Sequence, residues 1–255
     1  MNCVFNELIS KTIGIPYFLS ICIIGILGIF FFLILPLSKK IKSDNYLPFL
    51  LLILVLFYEN FGHYLNLDKA FNQKIHEWLF DVPFQGWNIW SYNMFNFHLS
   101  KILFLIIVLL HVKRKIFRKI IGGFIISFLA ISIGLQWSGI EVVHGIMTTI
   151  YFLGNFFLIA ACGLFFIDLV TSDYYLEYNP LKMWSFWFIT LTLFQVSAAF
   201  LSEVSHQYLA FHNVSLYDSL AGISQFLYLL IMATIVLKLA DEALNFSKKN
   251  LFQHA

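Results

Sequence analysis

Residues 13–37 read IGIPYFLSICIIGILGIFFFLILPL, twenty-five positions without one charged side chain. At about 1.5 Å of rise per helical residue this run exceeds the ~30 Å hydrocarbon core of a bilayer. It is longer than the roughly 7–15 apolar residues of a cleavable leader, and no small-residue cleavage site follows it, so it is expected to be a retained spanning helix. Six further stretches share its character, at about 46–65, 95–112, 119–137, 142–167, 183–202 and 216–237. Each is continuously apolar rather than alternating, which excludes a transmembrane barrel. With 60% hydrophobic and only 12% charged residues, the composition also excludes a soluble enzyme, a disordered chain and a disulfide-stapled module. The expected fold is all-α: one polytopic bundle of seven transmembrane helices over residues 1–255. Prolines 16, 36, 48 and 180 fall at expected span ends, and all six tryptophans fall near expected interfaces, as amphipathic rings should.

Twelve of the sixteen basic residues flank one set of span ends, in Lys39–Lys42, Lys113–Lys119, Lys182, Lys238 and Lys248–Lys249. The positive-inside rule then places the N-terminus outside and the C-terminus in the cytoplasm. The outer connection 66–94 contains an amphipathic segment in which Phe71, Ile75, Trp78 and Leu79 share a face. Asp68 is placed to cap it and Val82-Pro83 to end it, as a helix lying in the outer interface. A helical cytoplasmic tail is expected over 240–255. Fourteen lysines against two arginines point to an AT-rich bacterial genome, and so to a bacterial inner membrane. Cys3, Cys22 and Cys162 form no recognisable pair or metal motif. No Walker loop, nucleophile elbow or His-Glu-x-x-His is present. The basic 113–119 segment reads as an orienting loop or anionic-lipid contact rather than a nucleic-acid patch.

Polar residues inside the spans carry the functional expectation, because each charge at mid-bilayer costs about 2.5–3.5 kcal/mol and tends to face a cavity or partner. Glu59 and His63 are four apart near the outer end of span 2, and His98 opens span 3. In span 5, Glu141 precedes a stripe of His144, Thr148, Tyr151 and Asn155. In span 6, Gln195, Ala199 and Ser202 lead to Glu203 and His206. Span 7 offers Asp218, Gly222 and Gln225. These intervals trace single helical faces and describe an outward polar pocket with Asn155 and Gln195 as its floor.

Three readings of the pocket stand. In the first, Glu141/His144 and Glu203/His206 are Glu-x-x-His pairs that, with Glu59 and His63, hold iron or zinc in a metal-dependent enzyme acting on a lipid at the outer face. Haem is disfavoured, since His98 and His111 lie near opposite faces. In the second, the pocket binds a small ligand or lipid headgroup and signals through a cytoplasmic partner, or the chain is an accessory subunit of a membrane complex. In the third, the polar groups near span ends are simply hydrated or cap helices.

The stretch Phe57-Tyr58-Glu59-Asn60-Phe61-Gly62-His63-Tyr64-Leu65 resembles the second helix of a group of small seven-helix bacterial membrane proteins. Trp90-Ser91-Tyr92-Asn93-Met94-Phe95 and Asn179-Pro180-Leu181 with Trp184 and Phe186 are similar to the entries of that group's third and sixth helices. The resemblance implies the seven-helix layout, which is also that of sensor input regions, and carries no activity with it.

Overall fold

Pro16 opens the first long helix at a position where its missing N–H is not needed. In the computed structural model, which describes residues 15–204 and 212–253, this helix, α1, runs Pro16–Ile34 and stops where Pro36 forces Leu35 into an extended conformation. The other long helices are α2 (Ser43–Leu67), α3 (Ile89–His111), α4 (Lys115–Trp137), α5 (Thr148–Thr171), α6 (Trp184–Val204) and α7 (Val214–Gln253). No strand occurs among the described residues. Seven described helices are long and apolar enough to cross a membrane, as a multi-pass membrane protein requires.

Each helix packs on its neighbours in sequence, α7 returns to α1, and α3 also touches α5. The shared core draws Ile21, Leu52, Ile107, Ile121, Phe165, Phe188 and Ile235 from the seven helices in turn. Ile26, Phe30 and Leu33 of α1 are 55–66% exposed; in water such a face would be a liability, and in lipid it is a solvated surface.

One end of the bundle, formed by the α1–α2, α3–α4 and α5–α6 connections and the far part of α7, carries the twelve clustered basic residues; we refer to it as the basic end. Its turns are held by polar groups. The fully buried carboxylate of Asp168 in α5 accepts the backbone N–H groups of Lys113 (2.6 Å) and Arg114 (3.3 Å) just before α4 begins. It thereby neutralises the positive end of that helix. Pro48 lies inside α2, not at its end, because the helix starts at Ser43. Lacking an N–H, Pro48 leaves the Asp44 carbonyl without a helical donor, and Lys238 of α7 donates to that carbonyl. The Lys238 ammonium also sits 2.6 Å from the Asp44 carboxylate and 4.2 Å over the Trp184 ring. A sequence feature that weakens one helix thus creates an acceptor that ties it to another.

At the opposite end, the connecting helix Lys69–Leu79 begins with the Asp68 side chain accepting from Phe71 N at 2.9 Å. Its polar residues Asn72 and His76 are buried against the bundle. Its apolar residues Phe71, Trp78 and Leu79 face outward, Trp78 being 82% exposed. The same exposed surface carries Gln73, Lys74 and Glu77, a mixed face that suits a helix at a lipid–water interface.

Candidate ligand cavity

α3 is not a uniform helix. Between α-helical Ile89–Tyr92 and Lys101–His111, residues Asn93–Ser100 form a π-helix. Tyr92, Asn96, Ser100 and Phe104 recur at intervals of four, a spacing that drifts around a helix of about 3.6 residues per turn. The wider turns of the π stretch hold these residues in line, and with Lys101 they wall one side of a cavity of about 400 Å³. The remaining walls are Ile15 just before α1, Tyr17 and Phe18 of α1, Tyr58 and Glu59 of α2, Gln195 and Ala199 of α6, and Ser224, Gln225 and Tyr228 of α7.

Glu59 is 8% exposed. Its Oε1 accepts from Tyr17 Oη at 3.2 Å, and among the described residues its Oε2 accepts from none. Beside it the Tyr58 and Tyr228 hydroxyls are 2.6 Å apart, and Tyr58 donates to Asn96 Oδ1 at 3.3 Å. Gln195 Nε2 donates to Ser224 Oγ at 3.0 Å across α6 and α7. Lys101 is 6% exposed and donates to Asn155 Oδ1 of α5 at 2.5 Å. Its stem crosses Gly154, where an added Cβ would lie 3.5 Å from Lys101 Cγ and 3.3 Å from the Phe128 ring. Gly62 is needed for a similar reason. A Cβ there would fall 2.8 Å from the Tyr92 ring, so only glycine lets that ring lie against α2. A second cavity of about 400 Å³ shares Ile15, Phe18 and Tyr92 with the first and is lined by His63 and Asn66. The His63 ring packs 4.4 Å from Phe18.

The structure distributes the residues expected in the pocket. Glu59, Gln195 and Gln225 line the main cavity, His63 lines the adjoining one, and Asn155 is bonded to the cavity residue Lys101. Thr148 and Asp218 are exposed. α5 starts at Thr148, so Glu141 and His144 lie in the irregular connection before it rather than on a shared helical face. The chain turns there at Gly139, whose φ of +72° is in the left-handed region. From this connection the Glu141 carboxylate folds back on α5 and accepts Thr149 N at 2.5 Å and Ile150 N at 3.1 Å. His144 faces His76 at 5.9 Å and Phe80 at 5.3 Å between ring centres. His98 turns toward α4: its Nδ1 lies 2.6 Å from Asn93 O and its Nε2 lies 2.9 Å from Gln136 Nε2. Asn93 in turn donates to Val143 O and Gly145 O and accepts from Tyr151, strapping the connection to the bundle. The side chain of Glu203 and the whole of His206 lie outside the described residues. Among the described residues, no three His, Cys, Asp or Glu side chains are grouped to hold a metal ion.

The sequence reading missed Lys101 and the four tyrosines of the main cavity. At the basic end His111 Nε2 lies 3.4 Å from Asp44 Oδ1, and its ring meets Trp184 edge-on at 5.1 Å. Comparison with protein-family models, curated proteins and solved structures finds no match.

Proposed function

We propose that the protein is a binding or sensing component of a bacterial inner membrane. Its N-terminus is outside, its C-terminus is cytoplasmic, and its central cavity takes a small polar ligand or lipid headgroup. The observation that carries this reading is the cavity of about 400 Å³ whose lining includes two buried ionisable groups, Glu59 and Lys101. Its volume lies in the range of ligand pockets, and intramembrane ionisable groups are costly enough to mark functional sites. The clustering of basic residues at one end supports the orientation.

The path from ligand to partner is α7. This helix of 40 residues, about 60 Å long, lines the cavity with Ser224, Gln225 and Tyr228. It then passes the Lys238–Asp44 and Lys39–Glu242 pairs and continues beyond them to Gln253. A ligand that prefers one tilt of α7 shifts the position of its far end, where a cytoplasmic partner or complex subunit would read it.

Native mass spectrometry of the purified chain tests the proposal. A bound small molecule or lipid is expected on the wild type and absent from Ala199→Phe, which fills the cavity. Wild-type protein without an adduct, or an unchanged adduct on the variant, would sink it. A reporter fused at Gly139 and found in the cytoplasm would overturn the orientation alone.

A further inference from the structure

Glu59 is buried within a helix of spanning length, and its carboxylate is under-bonded. Its Oε1 accepts from Tyr17 Oη at 3.2 Å and, among the described residues, its Oε2 accepts from none. A carboxylate taken out of water is compensated by a counter-charge or by hydrogen bonds that fill its lone pairs. One phenol leaves most of that capacity unused, and the residue lines the main cavity. Resting on the reading of this cavity as a ligand site, we propose that its ligand is an organic cation: a protonated amine whose ammonium binds at Glu59 while its apolar body lies toward the end of the bundle opposite the basic end.

The surroundings of Glu59 suit that class. Tyr17, Tyr58 and Tyr92 line the cavity with it, and the Tyr92 ring lies against α2 at Gly62, less than one turn along the helix from Glu59. Aromatic rings with a carboxylate are a setting that recognises ammonium. An N–H of a protonated amine makes a charge-assisted hydrogen bond to a carboxylate oxygen, stronger than a neutral donor makes. An anion would meet the Glu59 charge in a low-dielectric interior, and a neutral ligand would leave it without a counter-charge. The adjoining cavity of about 400 Å³ shares Ile15, Phe18 and Tyr92 with the first and reaches Asn66 and Leu67 at the end of α2. It offers the body of the ligand largely apolar room on that side. Lys101 is not part of this subsite. It lies further along α3 than Tyr92, toward the basic end, and its Nζ is 2.5 Å from the Oδ1 of Asn155, a residue of α5 that does not line the cavity.

The same ammonium is carried by a free amine and by the headgroup of phosphatidylethanolamine. The purified full-length chain would be titrated by equilibrium dialysis, against empty micelles as the blank, with three probes that share one apolar body: phenethylamine, uncharged 2-phenylethanol and anionic 3-phenylpropanoate. It would also be extracted from nanodiscs of phosphatidylethanolamine and of phosphatidylglycerol. Phenethylamine is expected to bind at least about tenfold more tightly than the alcohol or the acid, and Glu59→Gln to erase that preference. Where Glu59→Gln fails to fold, the order of the three probes on wild type decides. Retention of phosphatidylethanolamine by wild type but not by Glu59→Gln identifies the source as lipid; binding of phenethylamine without lipid retention identifies a free amine. If the alcohol or the acid binds as tightly as the amine, if Glu59→Gln keeps the preference, or if neither phenethylamine nor phosphatidylethanolamine binds, the cation assignment falls. An adduct that is lost from Ala199→Phe but proves neutral or anionic also overturns it, and leaves the cavity standing as a ligand site.

Discussion

Glu59 and Glu141 are buried to the same degree, each 8% exposed, and their surroundings differ in kind. Glu141 has both carboxylate oxygens on backbone N–H groups of Thr149 and Ile150, at the start of the helix whose positive end it neutralises. Glu59 has one phenol on one oxygen, and cavity beside it. The same contrast separates whole regions. Asp168 at the basic end is saturated by neighbours whose backbone N–H groups it accepts at a helix start. The groups of the main cavity touch one another and leave space between them. Burial of a charge in this bundle therefore does not distinguish structure from function. The number of its bonds that are already taken does.

Breaking the saturated side should cost the most stability. Asp168→Ala leaves two backbone N–H groups without an acceptor, each costing about 1–3 kcal/mol, while the half-exposed Arg114 recovers water. A loss of about 3 kcal/mol is expected in detergent unfolding, with Asp168→Asn intermediate because its amide oxygen still accepts. A loss under about 0.5 kcal/mol would move Asp168 to the other class. Glu141→Ala should follow at about 1–2 kcal/mol, the usual worth of a helix cap, with hydrogen exchange rising in the first turn of α5. Unchanged exchange there would show that the cap carries no weight.

Glu59→Gln sharpens the contrast from the other side. The amide oxygen can still accept from Tyr17, and intramembrane polar contacts average only about 0.6 kcal/mol. Its unfolding midpoint should stay close to wild type while ligand binding is lost. A destabilisation as large as that of Glu141→Ala would make Glu59 another structural carboxylate and empty the comparison.

The number and kind of helices are legible in the sequence because apolar runs of spanning length admit few alternatives in a chain with 12% charge. The cavity is legible only in part. Glu59, Gln195 and Gln225 interrupt apolar runs and so stand out. Tyr17, Tyr58, Tyr92 and Tyr228 do not, since tyrosine is ordinary near a membrane interface. Lys101 reads as a lysine at a span mouth, and a π stretch, which leaves no periodic signature, carries it into the bundle wall. Glu141 and His144 illustrate the opposite error. Val142, Val143, Ile146 and Met147 extend the apolar run of span 5 backward, so the spacing looks helical, whereas the carboxylate must leave the helix axis to reach the first N–H groups of that helix.

The smallest expected effect lies where the connecting helix Lys69–Leu79 docks on the opposite end. Burial, with the neighbouring His144 adding to it, holds the His76 imidazole below the ordinary histidine range, and Glu77 opposes the shift. A histidine whose folded pKa is depressed favours the neutral form in the docked state. Below about pH 6.5 the undocked helix binds more protons than the docked one, so docking is complete above that value and weakens as pH falls toward the folded pKa. Hydrogen exchange of residues 70–79 should therefore rise on going from about pH 7.5 to about pH 5.5, after correction for the intrinsic rate, while exchange in α2 and α3 stays level. His76→Phe keeps a ring against Phe80 and Phe84 and removes the titrating group, so its exchange should lose the pH dependence. If the variant retains the wild-type profile, the proton acts elsewhere, and the polar face of this helix joins Glu141 and Asp168 as structure alone.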